Sequence, residues 1–240
     1  MSINEYFGRV FCINLKRRTD RRELAEQELA VSGIDPSLVE WVAGFDCPED
    51  GHYGCSKSHR DLLRRVADGP WEQVLVLEDD FKVLTLDDLV SNGFAAYSPS
   101  PVLETFKSVL NGRGNLNMRF SYLIPFLPET FDVLYLAGGY GEPPISRFNK
   151  HVLRVGFMQT TGTYGITRAF ARTWTEKIDA RFGKGHPGPI DNTFGSLSHD
   201  HLYYCFQPRL AYQRATPSDI TGECNSYICS QTDAVHENMV

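Results

Sequence analysis

Val74-Leu75-Val76-Leu77 runs directly into Glu78-Asp79-Asp80, so four apolar residues end in three consecutive carboxylates. An unbroken apolar run of this length reads as a central strand of a parallel sheet, covered on both faces. Ligands of open α/β sheets gather at the carboxyl ends of such strands. Three adjacent acids repel one another at neutral pH unless a cation joins them, and an all-oxygen set suits hard Mg²⁺ or Mn²⁺. A metal held this way can grip a diphosphate leaving group. A solvated acidic turn after a core strand is the other reading, and the triplet alone leaves both open.

A second cluster has the opposite sign. Lys16, Arg17, Arg18, Arg21 and Arg22 fall within seven residues of an otherwise acidic chain. Between a strand and a helix N-terminus they have the charge to receive a phosphate, although five side chains cannot all point inward. As a charge run it also reads as a solvated helix start. Together with the acidic triplet on the same sheet edge, it makes the pair of features that a metal-bound nucleoside diphosphate needs.

The elements that would position these groups alternate. Arg9 to Leu15 reads as the opening strand, and Asp20 to Val31 as a helix with Asp20 as N-cap and Gly33 as its stop. Leu38 to Ala43 is a short strand. Ser56 to Ala67 reads as a helix capped by Ser56, with Leu62, Leu63 and Val66 as its buried stripe and Gly69-Pro70 as its end. Residues 84–128 form an irregular excursion around a helical pattern at 102–110, which would shape the acceptor side. Asp132 to Leu136, Val152 to Met158 and Thr163 to Ile166 read as strands, and Arg168 to Ile178 as a helix with Phe170, Trp174 and Ile178 four apart. The alternation predicts a parallel or mixed α/β sheet in a single domain, residues 1–240, with a flexible tail after about residue 230.

Composition narrows the class. At 240 residues and 42% hydrophobic, the chain can bury a full core. A net charge of −6 argues against nucleic acid as the main partner. No apolar stretch reaches membrane-spanning length and no secretory signal is visible, so a cytoplasmic protein is expected, with peripheral membrane contact open and oligomeric state undecided. The six cysteines lack C-x-x-C spacing. They read as reduced thiols, Cys224 and Cys229 alone being close enough for a local pairing, and they argue against a zinc site.

The ordered blocks Ile13-Asn14-Leu15-Lys16-Arg17-Arg18-Thr19-Asp20-Arg21-Arg22, Gly54-Cys55-Ser56-Lys57-Ser58-His59 and Val76-Leu77-Glu78-Asp79-Asp80 resemble glycosyltransferase family 25. That family includes lipooligosaccharide β-galactosyltransferases and collagen hydroxylysine galactosyltransferases. Looser matches follow at Asp132 to Leu136, Thr163 to Thr167, Pro189-Ile190-Asp191 and Pro217-Ser218-Asp219-Ile220, so the resemblance runs from about residue 9 to 220.

The resemblance implies a GT-A-type fold, a Rossmann-like mixed sheet flanked by helices, binding a UDP-sugar donor and Mn²⁺ or Mg²⁺. By analogy Asn14, Leu15, Arg18 and Arg21 line the uridine and diphosphate region, and Ser58 and His59 sit near the donor pocket. Glu78-Asp79-Asp80 stands for the D-x-D motif, with Asp80 the direct metal ligand and Glu78 beside the metal, ribose or sugar. Enzymes of this type draw a further metal ligand from late in the chain, and His199 and His201 are candidates, although alternate residues share a side only in a strand. Asp191 competes for that place or serves as the acceptor-side base, with Asp79 the other candidate catalytic carboxylate. The implied reaction moves galactose or glucose to a hydroxyl of a glycan or hydroxylysine acceptor, with inversion. A non-catalytic glycan- or partner-binding relative is the rival reading. Tyr140, Phe157 and Trp174 are candidate sugar-stacking aromatics, the last two reading rather as core.

Overall fold

The computed structural model describes residues 1–91, 100–111, 114–220 and 222. The opening strand β1 (Val10–Asn14) lies parallel to β2 (Val39–Ala43) on one side and to β3 (Gln73–Glu78) on the other. These three strands therefore end at one edge. The sheet continues from β3 through β10 (Thr163–Thr167), β5 (Val133–Tyr135), β11 (Tyr203–Phe206), β8 (Val152–Arg154) and β7 (Ser146–Asn149). Strand β10 is antiparallel to both of its neighbours, β5 and β11 are parallel to each other, and β6 (Gly139–Tyr140) and β9 (Met158–Gln159) pair antiparallel apart from this sheet. This is the mixed α/β sheet that the alternation of elements led us to expect.

Side-chain alternation divides the core into two layers. Val10, Cys12, Leu75, Leu77 and Leu134 face one layer; Phe11, Ile13, Val74, Val76, Val133 and Tyr135 face the other. Covered on both faces, β3 has no need of polar positions, which is why it reads as an unbroken apolar run.

The second layer is closed by α3 (Gly51–Asp68), through Leu62, Leu63 and Val66, and by α7 (Arg168–Phe182), through Phe170, Trp174 and Ile178. The first is closed by α1 (Ile3–Tyr6), by α2 (Thr19–Ser32) and by helices of the 84–128 stretch, namely α4 (Leu86–Ser91), α5 (Ser100–Leu110) and α6 (Leu116–Leu123). The stretch expected to be irregular is thus largely helical in its described part, and Phe106, Val109, Leu116, Phe120 and Leu123 anchor it in the core.

Two helix starts differ from the expectation. Helix α3 begins five residues before Ser56, at a cap formed by Asp50, whose carboxylate accepts from the Tyr53 N–H at 2.9 Å. Gly51 and Gly54 hid this first turn from a periodicity argument. Ser56 instead lies buried inside the helix and donates to the Gly188 carbonyl. Helix α2 begins at Thr19, so Asp20 sits in its first turn rather than at its cap. Gly33 ends α2 as predicted, in the left-handed region at φ 78°.

The four cysteines among the described residues, Cys12, Cys47, Cys55 and Cys205, are free thiols. Cys224, Cys229 and the tail after residue 230 lie outside the described residues. None of the described helices is long and apolar enough to cross a membrane.

Candidate active site

Strand β3 delivers Glu78 to the edge where β1 and β2 also end, and the chain turns there through Asp79 and Asp80 into β4 (Phe81–Val83). Strand β4 pairs with β12 (Ala211–Gln213), with Phe81 opposite Gln213. That ribbon brings Gln213 beside Asp80 and sends residues 214–220 back across the edge. On the other side Thr163 pairs with Leu77, so the loop leading into β10 reaches the same edge and presents Thr160 and Thr161.

Two lobes open on either side of the acidic triplet. The first, of ≈ 680 Å³, is walled by Ile13, Asn14, Leu15, Gly44, Phe45 and the start of α3. The second, of ≈ 730 Å³, is walled by Thr160, Thr161, Pro189, Asp191 and Thr216. Arg21, Cys55, Glu78 and Asp80 border both.

The three carboxylates differ in how they are balanced. Glu78 accepts from Thr161 Oγ1 at 2.8 Å and faces His59 Nε2 at 3.1 Å. Burial opposes its ionisation, but the bond and charge of His59, with help from Thr161 and Arg21, hold it below the usual carboxylate range. Asp79 accepts from Asn14 Nδ2 at 2.7 Å and from Arg21 Nη1 at 3.1 Å; burial outweighs both and pushes its carboxyl up. Asp80 shares the same guanidinium at 3.2 Å and accepts from Gln213 Nε2 at 2.9 Å. Its other oxygen, Oδ1, is buried with no hydrogen-bond partner among the described residues. Burial first, then the charges of Glu78 and Asp79, push Asp80 up to about 7 against the pull of Arg21.

This arrangement corrects the repulsion argument made from the triplet. Glu78 has His59 and Thr161 as partners and both Asp79 oxygens are engaged, by Asn14 and by Arg21, whereas Asp80 keeps one oxygen without a partner among the described residues.

The basic loop is likewise committed. Arg21 is buried against the acids and also donates to the Pro217 carbonyl at 2.9 Å. Arg18 holds Asp20 and Asp219, and Arg17 holds Asp46 and Asp219. The Asp219 carboxylate therefore spans two guanidinium groups, at 2.8 and 2.5 Å. Gly51 lets this segment lie close, because a Cβ there would come within 2.6 Å of the Asp219 carbonyl oxygen.

Ser58 and His59 lie in the interior of α3, not at its start. Ser58 Oγ accepts from the Phe45 N–H and donates to the Gly54 carbonyl, fixing the wall of the first lobe. His59 Nδ1 shares a hydrogen bond with the buried Tyr164 hydroxyl at 2.9 Å. Asp191 lies in the first turn of α8 (Ile190–Gly195), and its carboxylate accepts from the Thr160 N–H at 3.1 Å. Thr160 adopts φ 65° to make this bond, an unusual conformation for a β-branched residue. Burial is the main cause that pushes Asp191 up to about 6.

His199 and His201 belong elsewhere. His201 precedes β11 and contacts Asp132, which precedes β5; both strands begin at the edge opposite the triplet, because Val133 is level with Ile166, which is level with Val74. His199 is exposed and pairs with Glu142 at 2.9 Å. Neither borders the two lobes. Of the late-chain candidates only Asp191 reaches the site, a choice that fold topology makes and local spacing does not. Trp174 is core, and Arg209 covers the Tyr140 ring at 4.1 Å. Gln213, Thr160, Thr161 and Asp219 were not singled out from the sequence. Asp219 alone had a signal there, as part of the closing match.

No protein-family model matches the chain. Human procollagen galactosyltransferase 2 is 33% identical over 100 residues, covering 32% of this chain and 16% of the human protein. Zebrafish (Danio rerio) procollagen galactosyltransferase 1 is 31% identical over 100 residues, covering 32% and 17%. The matched region thus spans about a sixth of the length of these relatives. Among solved structures, CTP:phosphocholine cytidylyltransferase from Streptococcus pneumoniae aligns with a TM-score of 0.45 at 9% identity, over 89% of this chain and 94% of that one. UDP-glucose pyrophosphorylase complexed with UDP-glucose aligns at 0.42 and 12%, over 94% and 79%. Mouse xyloside xylosyltransferase 1 aligns at 0.38 and 12%, over 81% and 83%.

Proposed function

We propose that this protein is a metal-dependent glycosyltransferase. It moves a hexose, galactose or glucose, from a UDP-sugar to a hydroxyl of a glycan or hydroxylysine acceptor, with inversion. The observation that carries this reading is Asp80: a buried carboxylate with an unpartnered oxygen, beside a basic loop and between two lobes. The similarity to procollagen galactosyltransferases supports the reaction class.

The residues fit Mn²⁺ or Mg²⁺. Asp80 Oδ1 is a hard donor with no hydrogen-bond partner among the described residues, and Asp191 borders the same lobe. Bound there, the ion supplies neutralisation of the charge that develops on the departing diphosphate. In this reading the first lobe takes the nucleoside and the second the sugar and acceptor. Asn14 fixes the Asp79 carboxylate, and Asp79 fixes Arg21. Phosphate oxygens take the place of Asp219 on Arg17 and Arg18, an exchange of one anion for another on the same guanidinium pair.

Asp191 is the base. Both Asp79 oxygens are already engaged, whereas among the described residues only one Asp191 oxygen accepts a bond, from a backbone N–H. A carboxyl pushed up to about 6 is ionised at neutral pH and still basic enough to take a proton from a hydroxyl in the transition state. The acceptor oxygen forms its bond to the anomeric carbon as the bond to UDP breaks, and the acceptor proton passes to Asp191.

Titration calorimetry with UDP tests the assignment. UDP should bind in the presence of Mn²⁺ and lose at least about tenfold in affinity in EDTA, since ion and diphosphate share one site. Absence of UDP binding under both conditions would remove the basis of the proposal.

A further inference from the structure

We infer that Cys55, His59 and Glu78 form a second metal site, selective for soft divalent ions such as Zn²⁺ and distinct in ligand chemistry from the hard-ion site at Asp80. Cys55 and His59 are four residues apart on α3, so they share one helix face. That face lies against the end of β3, and the ligand atoms of the three residues all fall within 4.8 Å of one another. A tetrahedral zinc with bonds of about 2.0–2.3 Å separates its ligands by about 3.3–3.7 Å. His59 and Glu78 at 3.1 Å need only spread slightly to admit the ion.

The outer contacts are those a metal site requires. His59 Nδ1 is held by the Tyr164 hydroxyl at 2.9 Å, which fixes the ring plane. That hydroxyl can donate or accept, so the imidazole can carry its proton on Nδ1 and turn a bare Nε2 to the ion. Glu78 is held in turn by Thr161 Oγ1. Cys55 borders both lobes, which gives the ion an entry path and leaves a fourth position for water. The proton on His59 Nε2, which faces Glu78 in the metal-free protein, leaves that nitrogen as the ion bonds there, and the bond to Cys55 releases its thiol proton to solvent.

Cysteine count and spacing argued against zinc, because such arguments look for paired cysteines. Here a single thiol is completed by an imidazole and a carboxylate from a different element. A thiolate and an imidazole favour Zn²⁺ or Co²⁺ over Mg²⁺ or Mn²⁺. Glu78 adjoins Asp79 and Asp80 in the chain, so soft-ion occupancy would place a second divalent charge beside the hard-ion site. Soft-ion binding does not depend on the transferase reading.

Titration of the reduced, metal-free protein with Co²⁺ tests the site. The expected result is a near-ultraviolet thiolate-to-cobalt charge-transfer band that saturates at one ion per chain, is displaced by Zn²⁺, is lost in Cys55→Ser and is retained in Cys47→Ser. No band in the wild type, or a band that survives Cys55→Ser, overturns the proposal. A measurement on the wild type alone guards against misfolding of the variant: Zn²⁺ should slow alkylation of Cys55, mapped by mass spectrometry, at least about tenfold relative to Cys47. Equal alkylation of Cys55 with and without Zn²⁺ likewise overturns it.

Discussion

Asp80→Asn is expected to stabilise the metal-free protein at pH 8 by about 2–4 kcal/mol, a rise of roughly 5–15 °C in thermal midpoint, and to change it little at pH 4. The carboxyl is pushed up from an ordinary 3.8 to about 7 in the folded protein. A group whose folded value is raised contributes most when it is neutral. Its contribution is fully present below about pH 4 and is lost as the pH climbs through 7. At pH 8 the wild type therefore carries a buried negative charge, and the amide removes it. The carbonyl oxygen of the new amide can keep the bonds from Gln213 and Arg21, while Glu78 retains His59 and Asp79 retains Arg21. Adding Mn²⁺ should raise the wild-type midpoint and leave that of the variant unchanged. Differential scanning calorimetry at the two pH values reads both effects; a variant less stable than the wild type at pH 8 contradicts the charge assignment.

Arg21→Met should destabilise the protein by about 3–5 kcal/mol at pH 8, the cost of leaving buried charge without its partner. Arg21 is 8% exposed and serves both Asp79 and Asp80, so its loss brings two carboxylates face to face in a site with no other nearby guanidinium bond to either among the described residues. The loss should shrink toward pH 4 as those carboxyls become neutral. Arg22→Met is the matched control from the same helix turn. Its guanidinium lies over the Trp41 ring at 3.4 Å and pairs with the exposed Glu26, interactions worth about 1 kcal/mol together. Equal losses in the two variants by urea denaturation would show that Arg21 does not carry the site's charge balance.

What the sequence revealed follows from which signals are local. Strand β3 and helix α7 were legible because each is buried along its length, one as a continuous apolar run and the other as a four-residue stripe ending at Ile178. Gly33 was legible because its backbone conformation favours glycine. Strands β11 and β12 were missed. Tyr203 to Phe206 is short and lies between polar loops, and Ala211 to Gln213 gains its identity from pairing with β4, a contact remote in sequence.

The candidate site divides the same way. Glu78, Asp79 and Asp80 could be named because they end a recognisable strand, and Asn14 through the family resemblance alone. The charge of the basic loop was visible, but its commitment to Asp79, Asp80 and Asp219 was not, since the acids come from two distant stretches. His199 and His201 offered the better metal-binding side chains, and Asp191 only a carboxylate. Sequence shows donor chemistry and hides which sheet edge a loop reaches. The order of strands sends the histidines to one edge and Asp191 to the other.

The most direct measurement of the central claim is UDP release from a panel of UDP-sugars, with Mn²⁺ or with EDTA, by the wild type and by Asp80→Asn. The account predicts turnover of one donor by the wild type in Mn²⁺, with water as acceptor if no other is supplied, and loss of that turnover in EDTA and in the variant. Turnover that persists in EDTA, or that Asp80→Asn retains, would contradict it.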